Sequence, residues 1–244
     1  MFSSLKEDIL SIPYLEVVEE LKNDPVTSEQ LRSIEVYIGF PLPDDIVDFY
    51  KWSNGYKLYW KLKEDFPENE LVAFADKYPD YRFEWPDSKA NPFANINILP
   101  LQDALMKDWS EDFFYLKDLD VSDEFTIEAE KFGVDDLKKN LKPCDMFWAD
   151  TCVAFFIDRK SKKIRLLYVT MYENTILDSR VTDFSSYLAF LQATKGIAEA
   201  RLRFLSEENG LNMAPLVMTP DYFEGKIKQP GGKTVSVKPS LFVK

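Results

Sequence analysis

The chain of 244 residues contains no histidine. That absence removes Ser-His-Asp and Cys-His nucleophilic machinery, zinc sites built on imidazole, and imidazole acid–base chemistry. Cysteine is nearly as scarce. Cys144 and Cys152 are too few for a disulfide framework, and without a third Cys or any His they lack the ligands of a metal site. Two reduced, semi-buried thiols are the expected state. Glycine numbers eight, three of them in the last twenty residues, so a Gly-rich phosphate cradle is hard to place. Gly232-Lys233-Thr234 ends like a Walker A loop. However, Ile227 stands where the first glycine belongs, and Val235 to Pro239 cannot start the helix that should follow. No apolar run reaches the roughly 18 residues of a bilayer span. Met1 to Leu10 carries Glu7 and Asp8 and no small-residue cleavage site, so a secretory leader is not expected and a cytoplasmic location is the simplest reading.

What is present suits one large domain or one domain with appendages: 45% of residues are hydrophobic, 15% aromatic and 30% charged. The 42 acidic and 30 basic residues leave a net charge of −12, which disfavours nucleic acid as a general partner. The surplus is concentrated. Glu64 to Asp87 holds eight acids against Lys77 and Arg82, and Asp103 to Asp136 holds twelve against Lys107, Lys117 and Lys131. The last twenty residues run the other way, with five lysines and no acid. Both acidic segments carry aromatics. One reading is a face that steers toward a basic protein and anchors it with rings, through Asp76, Tyr78, Asp80, Tyr81, Glu84, Trp85 and Asp87 in the first segment and Asp108, Trp109, Glu111 and Asp112 in the second. The other is a solvated acidic surface whose rings turn inward to the core. Asp118, Asp120, Ser122 and Glu124 alternate like a calcium loop. Yet Asp123 stands where the loop needs glycine, and Ala129 where it needs a bidentate carboxylate. Carboxylate pairs that could act as a glycosidase-like dyad arise by chance among so many acids, so no catalytic residue, metal or cofactor is expected.

Along the chain, Ser4-x-x-Glu7 and Thr27-x-x-Gln30 both have capping-box spacing. Leu5, Ile9 and Ile12 predict one helix, Leu15, Val18 and Leu21 a second closed by Pro25, and Leu31, Ile34 and Ile38 a third ended by Gly39. Pro41 and Pro43 hold the chain extended. Asp44 and Asp45 then open a helix with Ile46, Phe49 and Tyr50 on its buried face, and Asn54-Gly55 turns it out. Strand alternation follows at Leu58, Trp60 and Leu62 and again at Tyr81, Phe83 and Trp85, with a short apolar strand from Ile96 to Leu101 around Pro100. Asp103 to Lys142 reads as helical or irregular, ended by Pro143. Val153–Ile157 and Ile164–Val169 are the two best strands, joined by a hairpin loop from Asp158 to Lys163. Asp183 caps a helix faced by Phe184, Tyr187, Leu188 and Leu191, and helix is expected to resume over Ile197 to Leu205. Helices, then antiparallel strands, then a helix make an α+β layout.

The stretch Ile38-Gly39-Phe40-Pro41-Leu42-Pro43-Asp44-Asp45 through Asn54-Gly55 resembles the opening signature of the SUKH superfamily, which takes in yeast regulators of glucan synthesis and many bacterial immunity proteins of polymorphic toxin systems. Weaker similarities follow in order at Ile96–Leu101, Val153–Asp158 and Asp183–Leu188. The resemblance implies N-terminal helices, a central, mainly antiparallel twisted sheet and a closing helix. On that basis residues 1–26 form an N-terminal helical segment. Residues 27–205 form the SUKH-like domain, with an acidic insertion near 103–142, and 206–244 form a basic arm. It also implies a non-catalytic binding protein: an immunity protein that occludes a cognate toxin domain with a basic surface, or a regulatory scaffold of the glucan-synthesis type. Neither nucleic acid nor a membrane is an expected partner, and a homodimer stays open. On their own physics Gly39, Pro41, Pro43, Asn54 and Gly55 mark element boundaries, because Gly and Pro carry no catalytic group.

Overall fold

A computed structural model describes residues 2–11, 15–63, 93–109, 124–127, 130–147, 151–170, 177–196, 226–228 and 234–236. A single 3-10 turn, Phe2–Ser4, leads into α1 (Leu5–Leu10), which buries Leu5 and Ile9. The predicted capping box at Ser4 does not form. Ser4 lies in the 3-10 turn with helical dihedrals, and its hydroxyl donates to Asp8 instead. The predicted second helix is a strand, β1 (Leu15–Lys22). Leu15 is buried, whereas Val18 and Leu21 are about half exposed, so the helical stripe is not used as one. The β-branched pair Val17-Val18 suits the strand, and pairing with the next strand overrides the i, i+3 spacing.

At α2 (Ser28–Ile38) the outcome matches the expectation. Thr27 and Gln30 complete a reciprocal capping box, Leu31, Ile34 and Ile38 are buried, and Gly39 ends the helix at φ +90°. Pro43 then precedes α3 (Asp44–Trp52), which buries Ile46, Phe49 and Tyr50. The chain turns at Gly55 (φ +91°) into β2 (Tyr56–Leu62), which pairs antiparallel with β3 (Phe93–Ile98). Pro100 stands before a short helix, α4 (Leu101–Met106), so the predicted strand stops at Ile98.

Among its described residues the 103–142 region contributes a hairpin, β4 (Glu124–Ile127) with β5 (Glu130–Gly133), and a two-turn helix, α5 (Val134–Asn140). Pro143 ends no helix. It lies inside β6 (Leu141–Asp145), opposite Ala154, beside a shift of register, which is where a sheet tolerates a residue without an N–H. The hairpin β7 (Thr151–Asp158) and β8 (Lys163–Thr170) stands as predicted, followed by β9 (Leu177–Thr182) and α6 (Phe184–Ala193), capped by Asp183. Tyr81, Phe83 and Trp85, the loop at Asp118–Asp123 and the helix expected at 197–205 lie outside the described residues. In the 206–244 region a small hairpin pairs β10 (Lys226–Lys228) with β11 (Thr234–Ser236).

Seven strands make one sheet in the order β1-β2-β3-β6-β7-β8-β9, with every pairing antiparallel. Strand β7 shows why it has two covered faces. Val153, Phe155 and Ile157 join the core beneath α1, α2, α3 and α6. Cys152, Ala154 and Phe156 join a second core with Ile127, Leu137 and Phe132 of the hairpin and α5. A strand buried on both sides reads as a continuous apolar run, which is what the Cys152–Ile157 stretch is. Both thiols are fully buried rather than semi-buried, and burial pushes their pKa values up, so they are poor nucleophiles.

Candidate binding surface

Two helix C-termini converge on one arginine. Helix α5 buries Val134 and Leu137 against the sheet, which leaves Asp135, Asp136 and Lys139 facing out and Lys138 half-exposed. The two lysines fall in its last turn, at the negative end of the helix dipole. Asn140 closes the helix and accepts a hydrogen bond from Arg159 Nε at 3.2 Å. The same guanidinium donates through Nη1 to the carbonyls of Ile38 (2.6 Å) and Tyr37 (3.0 Å), the last residues of α2. Its carbon also sits 5.6 Å from the centre of the Tyr37 ring. Carbonyls that no helical N–H reaches are thus met by a cation, the usual need of a helix C-terminus.

Asp158 aims that arginine. Its carboxylate is 2% exposed and accepts from the backbone N–H groups of Lys160 and Ser161 (3.0 Å each) and from the Ser161 hydroxyl, while Arg165 Nη2 lies 3.2 Å away. Burial alone would raise its pKa, but these hydrogen bonds and the Arg165 charge outweigh burial and hold it below the ordinary carboxylate value. The turn is completed by Lys162 at φ +56°. Lys142 is buried and donates from Nζ to the carbonyl of Lys107 at 2.9 Å. Burial lowers its pKa, opposed by Asp108 and helped by Arg159.

Two contiguous depressions result. A cleft of about 620 Å³ between α5, β5 and the β7–β8 turn is lined by residues that include Lys131, Phe132, Lys139, Asn140, Arg159 and Lys160, with Glu130, Asp136 and Asp158. A shallower groove of about 460 Å³ shares Lys139 and is lined by Tyr37, Met106, Asp108, Asp135, Lys138 and Lys142. The groove-lining Tyr37 of α2 is 42% exposed.

Of the residues singled out in the sequence, Asp108 is exposed and lines this groove. Trp109 is buried in the second core. Its indole N–H donates to the Asp103 carbonyl at 3.0 Å, and the Lys107 ammonium lies 3.8 Å over its ring. Asp76, Tyr78, Asp80, Tyr81, Glu84, Trp85, Asp87, Glu111 and Asp112 lie outside the described residues. The motif residues have structural duties. A Cβ on Gly55 would meet the Ile98 carbonyl at 2.8 Å, and Asn54 Oδ1 accepts from the Leu101 N–H at 2.9 Å. Pro41 and Pro43 flank the buried Leu42, whose N–H donates to Glu35. The cationic end was missed, although a signal existed: from Leu137 to Arg165 eight Lys and Arg face only Asp145, Asp150 and Asp158, giving +5 in a chain of −12. Among the described residues no group of three or more Cys, Asp or Glu could hold a metal ion, and no helix is long and apolar enough to cross a membrane.

No curated protein matches the chain. A family match does exist. It begins at Pro25, just ahead of the Thr27 capping box, runs through α2, the Gly39–Gly55 motif, β2, β3 and α4, and ends within α5. Residues 25–137 match the sequence model of the SMI1 / KNR4 family (SUKH-1), which is consistent with the SUKH superfamily.

Proposed function

We propose that this protein is an immunity protein, which binds a cognate toxin domain and occludes its active site without catalysing a reaction of its own. The family whose model it matches includes immunity proteins alongside the yeast SMI1/KNR4 regulator. The observation that carries the choice is the placement of charge. The two acidic, aromatic-bearing segments, 64–87 and 103–136, hold −6 and −9 of a total of −12. A toxin that acts on a polyanion such as nucleic acid needs a basic surface, and an acidic face with rings can cover it. The docking residues in this reading are Asp76, Tyr78, Asp80, Tyr81, Glu84, Trp85, Asp87, Asp108, Glu111 and Asp112; Trp109, which is buried in the second core, is not among them.

The test is co-expression with the product of the adjacent gene, followed by co-purification and association kinetics. Reversing Asp76, Asp80, Glu84, Asp87 and Glu111 to lysine is expected to slow association about tenfold or more and to flatten its salt dependence. Unchanged binding and protection by that variant would overturn the reading. The second reading, a regulatory scaffold, draws on the yeast members of the family. It requires a cellular partner and no effect on any toxin.

A further inference from the structure

We propose that the surface around Arg159 is a second docking site, whose lysines and fixed arginine take an acidic protein segment carrying an apolar anchor. This does not rest on the toxin reading, with which it shares only Asp108. Three observations converge. First, among the described residues Lys138, Lys139 and Lys160 form no ion pair, although Asp108, Asp135 and Asp136 line the same depressions, and the remaining acids, Asp158 and Glu130, meet Arg165. Second, Arg159 is already fixed by three hydrogen bonds through Nε and Nη1, while its Nη2 bonds to none of the described residues. A guanidinium held in place can pair with a carboxylate without losing rotamer freedom on binding. Third, the groove that Lys138 and Lys139 line also holds exposed Tyr37 and the half-buried Met106. Tyr, Met and Arg are the side chains enriched at protein interfaces, and apolar groups among unpaired cations call for an anchor residue between carboxylates.

The same features favour a peptide over a nucleic acid. A long polyanion would feel the −12 of the whole chain, whereas a short acidic segment needs only the local field within a screening length of about 8 Å. The Tyr37 ring already carries the Arg159 guanidinium over one face, which blocks base stacking there.

The experiment uses the full chain and three probes: a short synthetic peptide of Glu and Asp with Leu and Phe at its centre, the same peptide with both apolar residues changed to Ser, and a single-stranded oligonucleotide of equal charge. Binding is read by fluorescence anisotropy at low and physiological salt. The first peptide is expected to bind at least tenfold more tightly than the other two. The double variant K139E/K160E should weaken it at least tenfold, and Tyr37→Ala several-fold, with melting temperatures that show both variants folded. Since Lys139, Lys160 and Tyr37 are exposed or half-exposed, these changes leave the core intact. No binding of the first peptide, equal binding of the oligonucleotide, or indifference to K139E/K160E would each overturn the proposal. Toxin binding through the acidic segments would be unaffected by K139E/K160E, so failure here and failure of the immunity reading are separable.

Discussion

Gly39 and Gly55 both adopt left-handed backbone, at φ +90° and +91°, but their surroundings differ. A Cβ on Gly39 would meet nothing within 4 Å, so Gly39→Ala bears only the left-handed penalty, about 1–2 kcal/mol. A Cβ on Gly55 would press on the backbone of Ile98 and Pro100 at 2.8 and 2.9 Å, and neither can move without breaking the β3–α4 junction. Gly55→Ala should therefore cost clearly more than Gly39→Ala, by about 1–3 kcal/mol. Urea unfolding of the two variants checks this, and equal midpoints would contradict it. That both glycines mark turns was legible in the sequence, because a turn residue announces itself locally. The difference between them was not, since it depends on a strand more than forty residues away. The same holds for Asp145, whose buried carboxylate accepts from the Asn97 N–H at 2.7 Å and from the Tyr187 hydroxyl at 2.6 Å. Nothing near Asp145 in the sequence points to a tyrosine 42 positions on.

At the scale of elements, two identical spacings met different fates. Thr27-x-x-Gln30 forms its box, with Thr27 N–H donating to Gln30 at 2.8 Å and Gln30 N–H to the Thr27 hydroxyl at 3.2 Å. Ser4-x-x-Glu7 does not, because Ser4 belongs to a 3-10 turn and never takes the extended backbone of a cap. Thr27→Ala should cost about 1 kcal/mol, and Ser4→Ala less than about 0.5, measured as shifts in the urea midpoint. Comparable shifts would mean that the Ser4 box forms in solution. The misreading of β1 has a related cause. Leu15, Val18 and Leu21 satisfy a helical period, but the strand beside them offers seven of the eight residues a ladder, with Lys57–Glu19 and Lys61–Glu16 ion pairs across it. Periodicity reports a preference of the isolated segment, and tertiary pairing decides it. By contrast β7 was plain, since its Cys152–Ile157 stretch is covered on both faces and has no polar residue to disguise it.

For the whole molecule, pH tests the charge layout. As pH falls from 7 toward 5, the −12 surplus begins to discharge and its self-repulsion eases, which favours the folded state. Below that range the carboxylates held in the fold decide. Asp158 and Asp183 are both partly desolvated, which alone would raise their pKa values. Hydrogen bonds from Ser161 to Asp158 and from Ser185 and Ser186 to Asp183, with the Arg165 charge on Asp158, bring both below the ordinary value of 3.8. A carboxylate with a lower pKa folded than unfolded binds protons more readily in the unfolded chain. Its contribution is thus complete at neutral pH, begins to fall as pH drops through the unfolded pKa, and is gone below the folded one. Asp158→Asn removes that contribution and leaves Arg165 with less countercharge, so the variant should be less stable than the parent at pH 7. Its deficit should then shrink on acidification below about pH 4, with a slope of at most about 1.4 kcal/mol per pH unit for one proton. Urea titrations of parent and variant between pH 7 and pH 2.5 measure this. A deficit that stays constant would mean that Asp158 titrates alike in both states, and that the turn presenting Arg159 is held by something other than this carboxylate.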